Sequence, residues 1–216
     1  MHLKRQKVPK SWPIARKGST YLVKPQSNAD LGIPILIILR DMLKIAQNRK
    51  EVKRALHQKQ ILVNTLPAKD EKNCATLFDT ITVIPSDKNY RLIILESGKF
   101  GLEEIGKNEA GSKIAKVANK KTLKNKKVQL NFADGKNLLS DVKCSVNDSV
   151  VLDLKNRKVE KCMPLKEKAE VFVFLGKYSG QKGIVEKMNE GGKTANVALA
   201  DRKVDILIKQ RMAGGK

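Results

Sequence analysis

The sequence predicts an α+β, multidomain protein: a basic N-terminal arm, a helical hairpin followed by strands, and two small barrel-like β units. Three observations carry that expectation. Apolar residues recur at helical spacing only between about residues 35 and 56, while period-two runs separated by turn residues fill most of the chain after residue 60. Prolines interrupt every period before residue 26.

The arm, residues 1–33, holds Pro9, Pro13 and Pro25, and crowds Lys4, Arg5, Lys7, Lys10, Arg16 and Lys17 around Trp12. With no apolar face of its own it is expected to order only against a partner, with Trp12 exposed in the free protein and docked on RNA or protein in a complex. Next, Ile35, Leu39, Met42, Leu43 and Ala46 predict a helix of about three turns with Arg40 and Lys44 on another face. Asn48 followed by Glu51 is a capping-box signal, and Val52, Ala55 and Leu56 supply the stripe of a second helix whose solvent side carries Lys50, Lys53, Arg54 and Lys59.

Strands are expected at 60–63, 78–84, 90–95 and 100–105, the last two flanking the turn Ser97-Gly98-Lys99. Residues 107–127 carry eight lysines and one acid and read as a loop or solvated edge, with Lys120, Lys121 and Lys124 as cationic contacts. Strands and turns then alternate at eight- to twelve-residue spacing through residue 163. A last unit follows Pro164, with strands at 171–175, 184–188 and 194–199 and with Gly191-Gly192 as a turn.

Charge names the partner class. The 216 residues contain 44 Lys+Arg and 22 Asp+Glu, a net +22. Residues 1–60 alone hold 14 basic and 3 acidic side chains. Such self-repulsion calls for a polyanion, most commonly nucleic acid. With one Trp, three Tyr and five Phe, base stacking on aromatic platforms is a minor mode, so phosphate contacts should dominate. The longest apolar stretch, residues 33–39, is far too short to span a bilayer, and no apolar segment follows the basic N-terminus. A cytoplasmic protein without a membrane partner is expected. Cys74, Cys144 and Cys162 read as reduced thiols. Two histidines and scattered cysteines offer no metal site, and no cofactor loop or nucleophile motif is present. Glu103 and Glu104 are neighbours on a strand and point to opposite faces, so they cannot share a reacting group. The reading is therefore non-enzymatic, with no cofactor, no metal and no small-molecule substrate.

Three groups of residues carry resemblances. Leu39-Arg40-Asp41, Leu43, Glu51, Arg54, Ile61, Val63-Asn64 and Phe78-Asp79-Thr80-Ile81 resemble the alpha-L RNA-binding motif of ribosomal proteins, pseudouridine synthases and tyrosyl-tRNA synthetases, with Thr65 where that motif has glycine and a long excursion over residues 65–77. Residues 169–185, with Gly176, Gly180, Gly183 and Ile184-Val185, resemble a KOW motif, in which Lys177 and Lys182 would face RNA. Together with Pro9-Lys10, Trp12, Tyr90-Arg91-Leu92, Glu109-Ala110 and Val128-Gln129-Leu130-Asn131-Phe132, they make nearly the whole chain similar to the archaeal and eukaryotic small-subunit ribosomal protein four-e family. The resemblance implies an arm (1–33), an alpha-L RNA-binding domain (34–95), a central small β-barrel-like domain (96–164) and a C-terminal SH3-like KOW barrel (165–216). It further implies small-subunit rRNA and neighbouring ribosomal proteins as partners. An RNA-modifying enzyme is disfavoured because the residues outside the alpha-L segment offer no catalytic group. A KOW-bearing transcription factor is disfavoured by the arm and the alpha-L segment.

Overall fold

The prolines that break every period in the first 33 residues do not leave them unfolded. The computed structural model describes residues 2–124, 127–140, 142–188, 194–199 and 202–213. Strand β1 (Leu3–Lys4) pairs antiparallel with β2 (Tyr21–Leu22). The Arg5 guanidinium braces the intervening loop, donating from Nε to Ser19 O at 2.7 Å, from Nη1 to Ala15 O at 2.5 Å and from Nη2 to Ser19 Oγ at 3.0 Å. Gly18, at φ +138°, lets the loop pass so close that a Cβ there would lie 2.9 Å from Arg5 Nη2. Trp12 is only 2% exposed, and its indole Nε1 donates to Ala29 O and Gly32 O, both at 3.1 Å. This corrects the expectation of a disordered arm with an exposed indole. The arm packs through one large side chain and backbone acceptors rather than an apolar stripe, so a periodicity test cannot register it.

The chain falls into two units, residues 1–94 with 99–111 and residues 95–98 with 112–216. In the first, β3 (Gly32–Pro34) leads into α1 (Ile35–Ile37), which continues as a π-helical turn over Ile38–Met42. Ile33 and the five residues Ile35 to Leu39 are all buried, and Lys44, at φ 54°, ends the element after about two turns rather than three. Helix α2 (Arg49–His57) begins as its capping box requires: Asn48 accepts from Glu51 N at 3.1 Å, while the Glu51 carboxylate accepts from Gln47 N and Asn48 Nδ2, both at 2.7 Å. Val52 and Leu56 form its buried stripe.

Strands β4 (Ile61–Val63), β5 (Leu66–Pro67), β7 (Thr80–Val83), β8 (Lys88–Ile94) and β9 (Phe100–Ile105) form an antiparallel sheet in the order β5-β4-β7-β8-β9, and β6 (Cys74–Thr76) pairs with β3. Strand β9 pairs along its length with β8, so it belongs to this unit rather than to a central domain starting at residue 96. Phe100 N donates to Ser11 O at 2.8 Å, which ties the arm to the edge of the sheet. The excursion over residues 65–77 is folded. Its Glu71, 1% exposed, receives Arg49 Nε at 2.7 Å (Oε1) and 2.9 Å (Oε2) and also Arg49 Nη2, and this bonding raises the arginine's pKa further above its ordinary value. Asp79, equally buried, accepts from Asn64 Nδ2 at 2.7 Å, Thr76 N at 2.7 Å and Thr76 Oγ1 at 3.0 Å, joining the β4–β5 turn to the start of β7.

In the second unit, β10 (Ser112–Thr122) is the longest strand of the chain, where a loop or solvated edge was expected. It is the middle strand of the order β12-β11-β10-β13-β14, with β11 (Val128–Phe132), β12 (Asn137–Leu139), β13 (Ser149–Asp153) and β14 (Lys158–Met163). Two of its lysines are buried. Lys113 bonds Asp134 at 2.5 Å; Lys116 Nζ donates to Ile208 O and lies 5.9 Å from the centroid of the Phe174 ring. Val117, Leu130, Phe132, Val150 and Cys144 make the core on the face that Lys113 shares, while Lys116, opposite Ser149, takes the other face.

A third sheet runs β18-β17-β16-β15-β19, from β15 (Glu170–Val173), β16 (Lys182–Met188), β17 (Thr194–Leu199), β18 (Lys203–Leu207) and β19 (Arg211–Ala213), over Val171, Val173, Val185, Val197 and Ile206. Gly183 sits where a Cβ would come within 2.6 Å of Ala198 O, so the β16–β17 pair closes only around a glycine. Among the described residues neither of the two five-stranded sheets of this unit closes on itself, so the two expected barrels are open antiparallel sheets. The expected turn at Gly191-Gly192 lies outside the described residues.

Two outcomes follow. Trp12 emission should already be blue-shifted in the free protein and move red on urea unfolding, and Trp12→Ala should cost about 3–5 kcal/mol in denaturant titration. In addition, burial, helped by hydrogen bonds to Cys144 and Asp148, pushes the Cys162 thiol up to about 12. At pH 8 its thiolate fraction is then roughly one in ten thousand, against about a quarter for an ordinary thiol. Iodoacetamide should label half-buried Cys74 in the native protein and reach Cys162 only after unfolding, as read by peptide mass.

Candidate nucleic-acid interface

On α2 the residues opposite Val52 and Leu56 are Lys50, Lys53, Arg54 and His57, spaced i, i+3, i+4, i+7 and all exposed. None has an ion pair among the described residues. Lys59 follows, exposed, at φ 55°. Because the helix is capped at its start and buries its other face, these side chains are presented from a fixed backbone. His57 was not expected here, though its place one turn after Lys53 and Arg54 would have found it.

Two neighbouring arginines are committed elsewhere. Arg49 is held by Glu71, and Arg40 bonds its neighbour Asp41 at 3.1 and 2.9 Å while Lys44 remains exposed. In the arm, Lys4, Lys7, Lys10, Arg16 and Lys17 are exposed. Arg5 is spent on Ala15 and Ser19, and Trp12 is buried, so the indole does not offer a docking surface.

In the second unit, Lys120 and Lys121 do not form one patch. Lys120 shares a face with the buried Leu130 and donates its Nζ to Cys144 O at 3.3 Å, whereas Lys121 projects from the opposite face beside Gln129. Lys124 is exposed just beyond the strand. Lys182 is exposed at the start of β16, and Lys177 stands 5.8 Å from the Tyr178 ring centroid, which Arg202 also approaches at 5.6 Å. Tyr178 with Arg202 escaped the sequence reading, since only the fold brings residue 202 to residue 178.

These surfaces place cations on ordered elements with few acids to neutralise them. Among the described residues no three His, Cys, Asp or Glu side chains converge on a possible metal site, and no helix is long and apolar enough to cross a membrane. The class so defined is a protein with exposed cationic faces on a helix and on open sheets, the kind of surface that suits a polyanion.

Known proteins narrow the class to a family. Residues 86–159 match the family model described as Ribosomal family S4e, and residues 1–27 match the RS4NT (NUC023) domain. The small ribosomal subunit protein eS4 of Methanocella arvoryzae is 37% identical over 190 residues, covering 87% of this chain and 80% of that protein. The eS4 of Halobacterium salinarum is 33% identical over 204 residues, covering 93% and 88%. The crystal structure of 30S ribosomal protein S4e from Thermoplasma acidophilum shares the fold at a TM-score of 0.73 and 21% identity, over 86% of this chain and 96% of that one. The chain belongs to the S4e family of ribosomal proteins, as a homologue of the archaeal type.

Reversing charge at the α2 face separates binding from folding. Lys53→Glu with Arg54→Glu should leave the melting temperature within a few degrees, because exposed charges contribute little to stability. The same double variant should weaken binding to an rRNA fragment at low salt, measured by filter binding.

Proposed function

We propose that this chain is a structural, non-catalytic constituent of the small ribosomal subunit that binds small-subunit rRNA through phosphate contacts and supports subunit assembly and translation in the cytoplasm. The observation that carries the reading is the α2 face: Lys50, Lys53 and Arg54 stand exposed, without ion pairs among the described residues, on a helix whose other side is core. Residues 34–95 act as the alpha-L module and residues 165–216 as the KOW unit, with neighbouring ribosomal proteins covering other surfaces. Membership of the S4e family and the small-subunit naming of the relatives support this assignment. The cationic residues in contact are Lys4, Lys7, Lys10, Arg16, Lys17, Lys44, Lys50, Lys53, Arg54, Lys59, Lys121, Lys124, Lys177 and Lys182.

Salt dependence tests it. Contacts to about six phosphates give a log K against log salt slope near −5 on duplex, and somewhat less on single strands. A slope shallower than about −2 on a small-subunit rRNA fragment would count against phosphate-dominated binding. In a sucrose gradient of cell lysate the protein should sediment with the small subunit; recovery only in the free fractions would overturn the assignment.

A further inference from the structure

The outer face of β10, β11 and β12 carries a second kind of chemistry. The register places Asn119 opposite Asn131 and Asn131 opposite Asn137, and sets Lys121 opposite Gln129 and Gln129 opposite Leu139. Directly paired residues share a face, and positions two apart on a strand share it too, so all six side chains project the same way. Lys120, Leu130 and Leu138 take the opposite side, where Leu130 is fully buried. Asn119, Lys121, Asn137 and Leu139 are exposed, and Gln129 Nε2 donates to Asn131 Oδ1 at 2.7 Å, which orients two of the amides against each other.

Asparagine is depleted in strands, so three of them abreast across three strands are not there to favour the sheet. No acidic residue occurs in β10, β11 or β12, and Lys121 lies on the face while Lys124 and Lys127 are exposed at its end. The surface is thus rich in paired donors and acceptors, positive, and free of carboxylates on its strands. Neighbouring strands are about 4.8 Å apart and alternate residues about 6.7 Å, which gives a grid of about 10 by 7 Å. That is the scale of one or two nucleobases. Three strands abreast are too broad for the deep, narrow major groove of duplex RNA, and these strands put no aromatic side chain on this face to stack a base, their one aromatic, Phe132, lying in the core.

We propose that this face binds an unpaired RNA segment by hydrogen bonds from Asn119, Gln129, Asn131 and Asn137 to base edges, with Lys121 on a phosphate. The inference rests on the rRNA-binding reading and adds base recognition to it. Adenine is the preferred base, because it offers a side-chain amide an adjacent donor and acceptor on both its Watson–Crick and its Hoogsteen edge.

The test uses the full chain and four fluorescent RNA probes: single-stranded octamers of A, C and U and an eight-base-pair duplex. The wild type should bind the A octamer about tenfold more tightly than the C octamer or the duplex at moderate salt. In Asn119→Ala/Asn131→Ala/Asn137→Ala this preference should fall within twofold while the salt slope stays unchanged. Lys121→Ala should keep the preference and make the slope shallower by about 0.7. Asn119→Asp keeps the shape of the side chain; with an unaltered melting temperature it should also lose preference for the A octamer, which guards against misfolding of the triple variant. Equal binding of all single strands by the wild type, or a preference that survives both sets of substitutions, overturns base recognition while phosphate-based rRNA binding stands. If the wild type bound neither these probes nor an rRNA fragment, the rRNA reading would fall with it.

Discussion

A chain with 44 cationic and 22 acidic side chains must fold against its own repulsion, yet three of its carboxylates, Glu71, Asp79 and Asp148, are buried on donors of the chain itself, backbone and side chain alike. Asp79 receives Asn64 and Thr76; Glu71 receives Arg49; Asp148, buried in the second unit, accepts from Ser145 N at 2.8 Å and Leu165 N at 3.1 Å. Each of these acids fixes a turn or the end of an element, where a buried carboxylate without donors would be costly. Acids spent in this way no longer neutralise the surface. The bare cations on α2 and the order of the turns behind them are therefore two results of one allocation.

That allocation explains which parts of the fold were legible in sequence. The Asn48–Glu51 box, the stripe of α2 and the bounds of β9 and β17 came through, because each is set by neighbours in the chain. Strand β10 did not. Reading Ser112 to Thr122 as alternating requires placing Lys113 and Lys116 inside, and only Asp134 and the Ile208 carbonyl, both distant in sequence, make that possible. The arm failed for a similar reason, since the carbonyls of Ala29 and Gly32 that satisfy the Trp12 indole have no sequence signature. Strand β18 is a different case: Lys203-Val204-Asp205-Ile206-Leu207 shows the period and could have been found.

The candidate interface was legible where one element suffices and obscure where partners decide. Helical spacing alone puts Lys50, Lys53 and Arg54 on one face. Strand alternation should have separated Lys120 from Lys121, and it would have done so had β10 been recognised as a strand. No local pattern shows that Arg5 and Arg49 are already occupied.

Which cation is occupied follows its chemistry. Only nine of the 44 basic residues are arginines, and Arg5, Arg40, Arg49 and Arg91 all bond carbonyls or carboxylates within the chain. A planar guanidinium fork suits fixed, multidentate acceptors, while an ammonium on a flexible stem suits a phosphate at variable distance. The fold therefore retains several of its arginines as internal braces and presents a surface made mainly of lysine point charges. Such a surface attracts any phosphate backbone and loses affinity steeply with salt, without telling one base from another. Discrimination, where this protein has it, must come from uncharged groups held in register, and the strands that lack any acid place four side-chain amides in that arrangement.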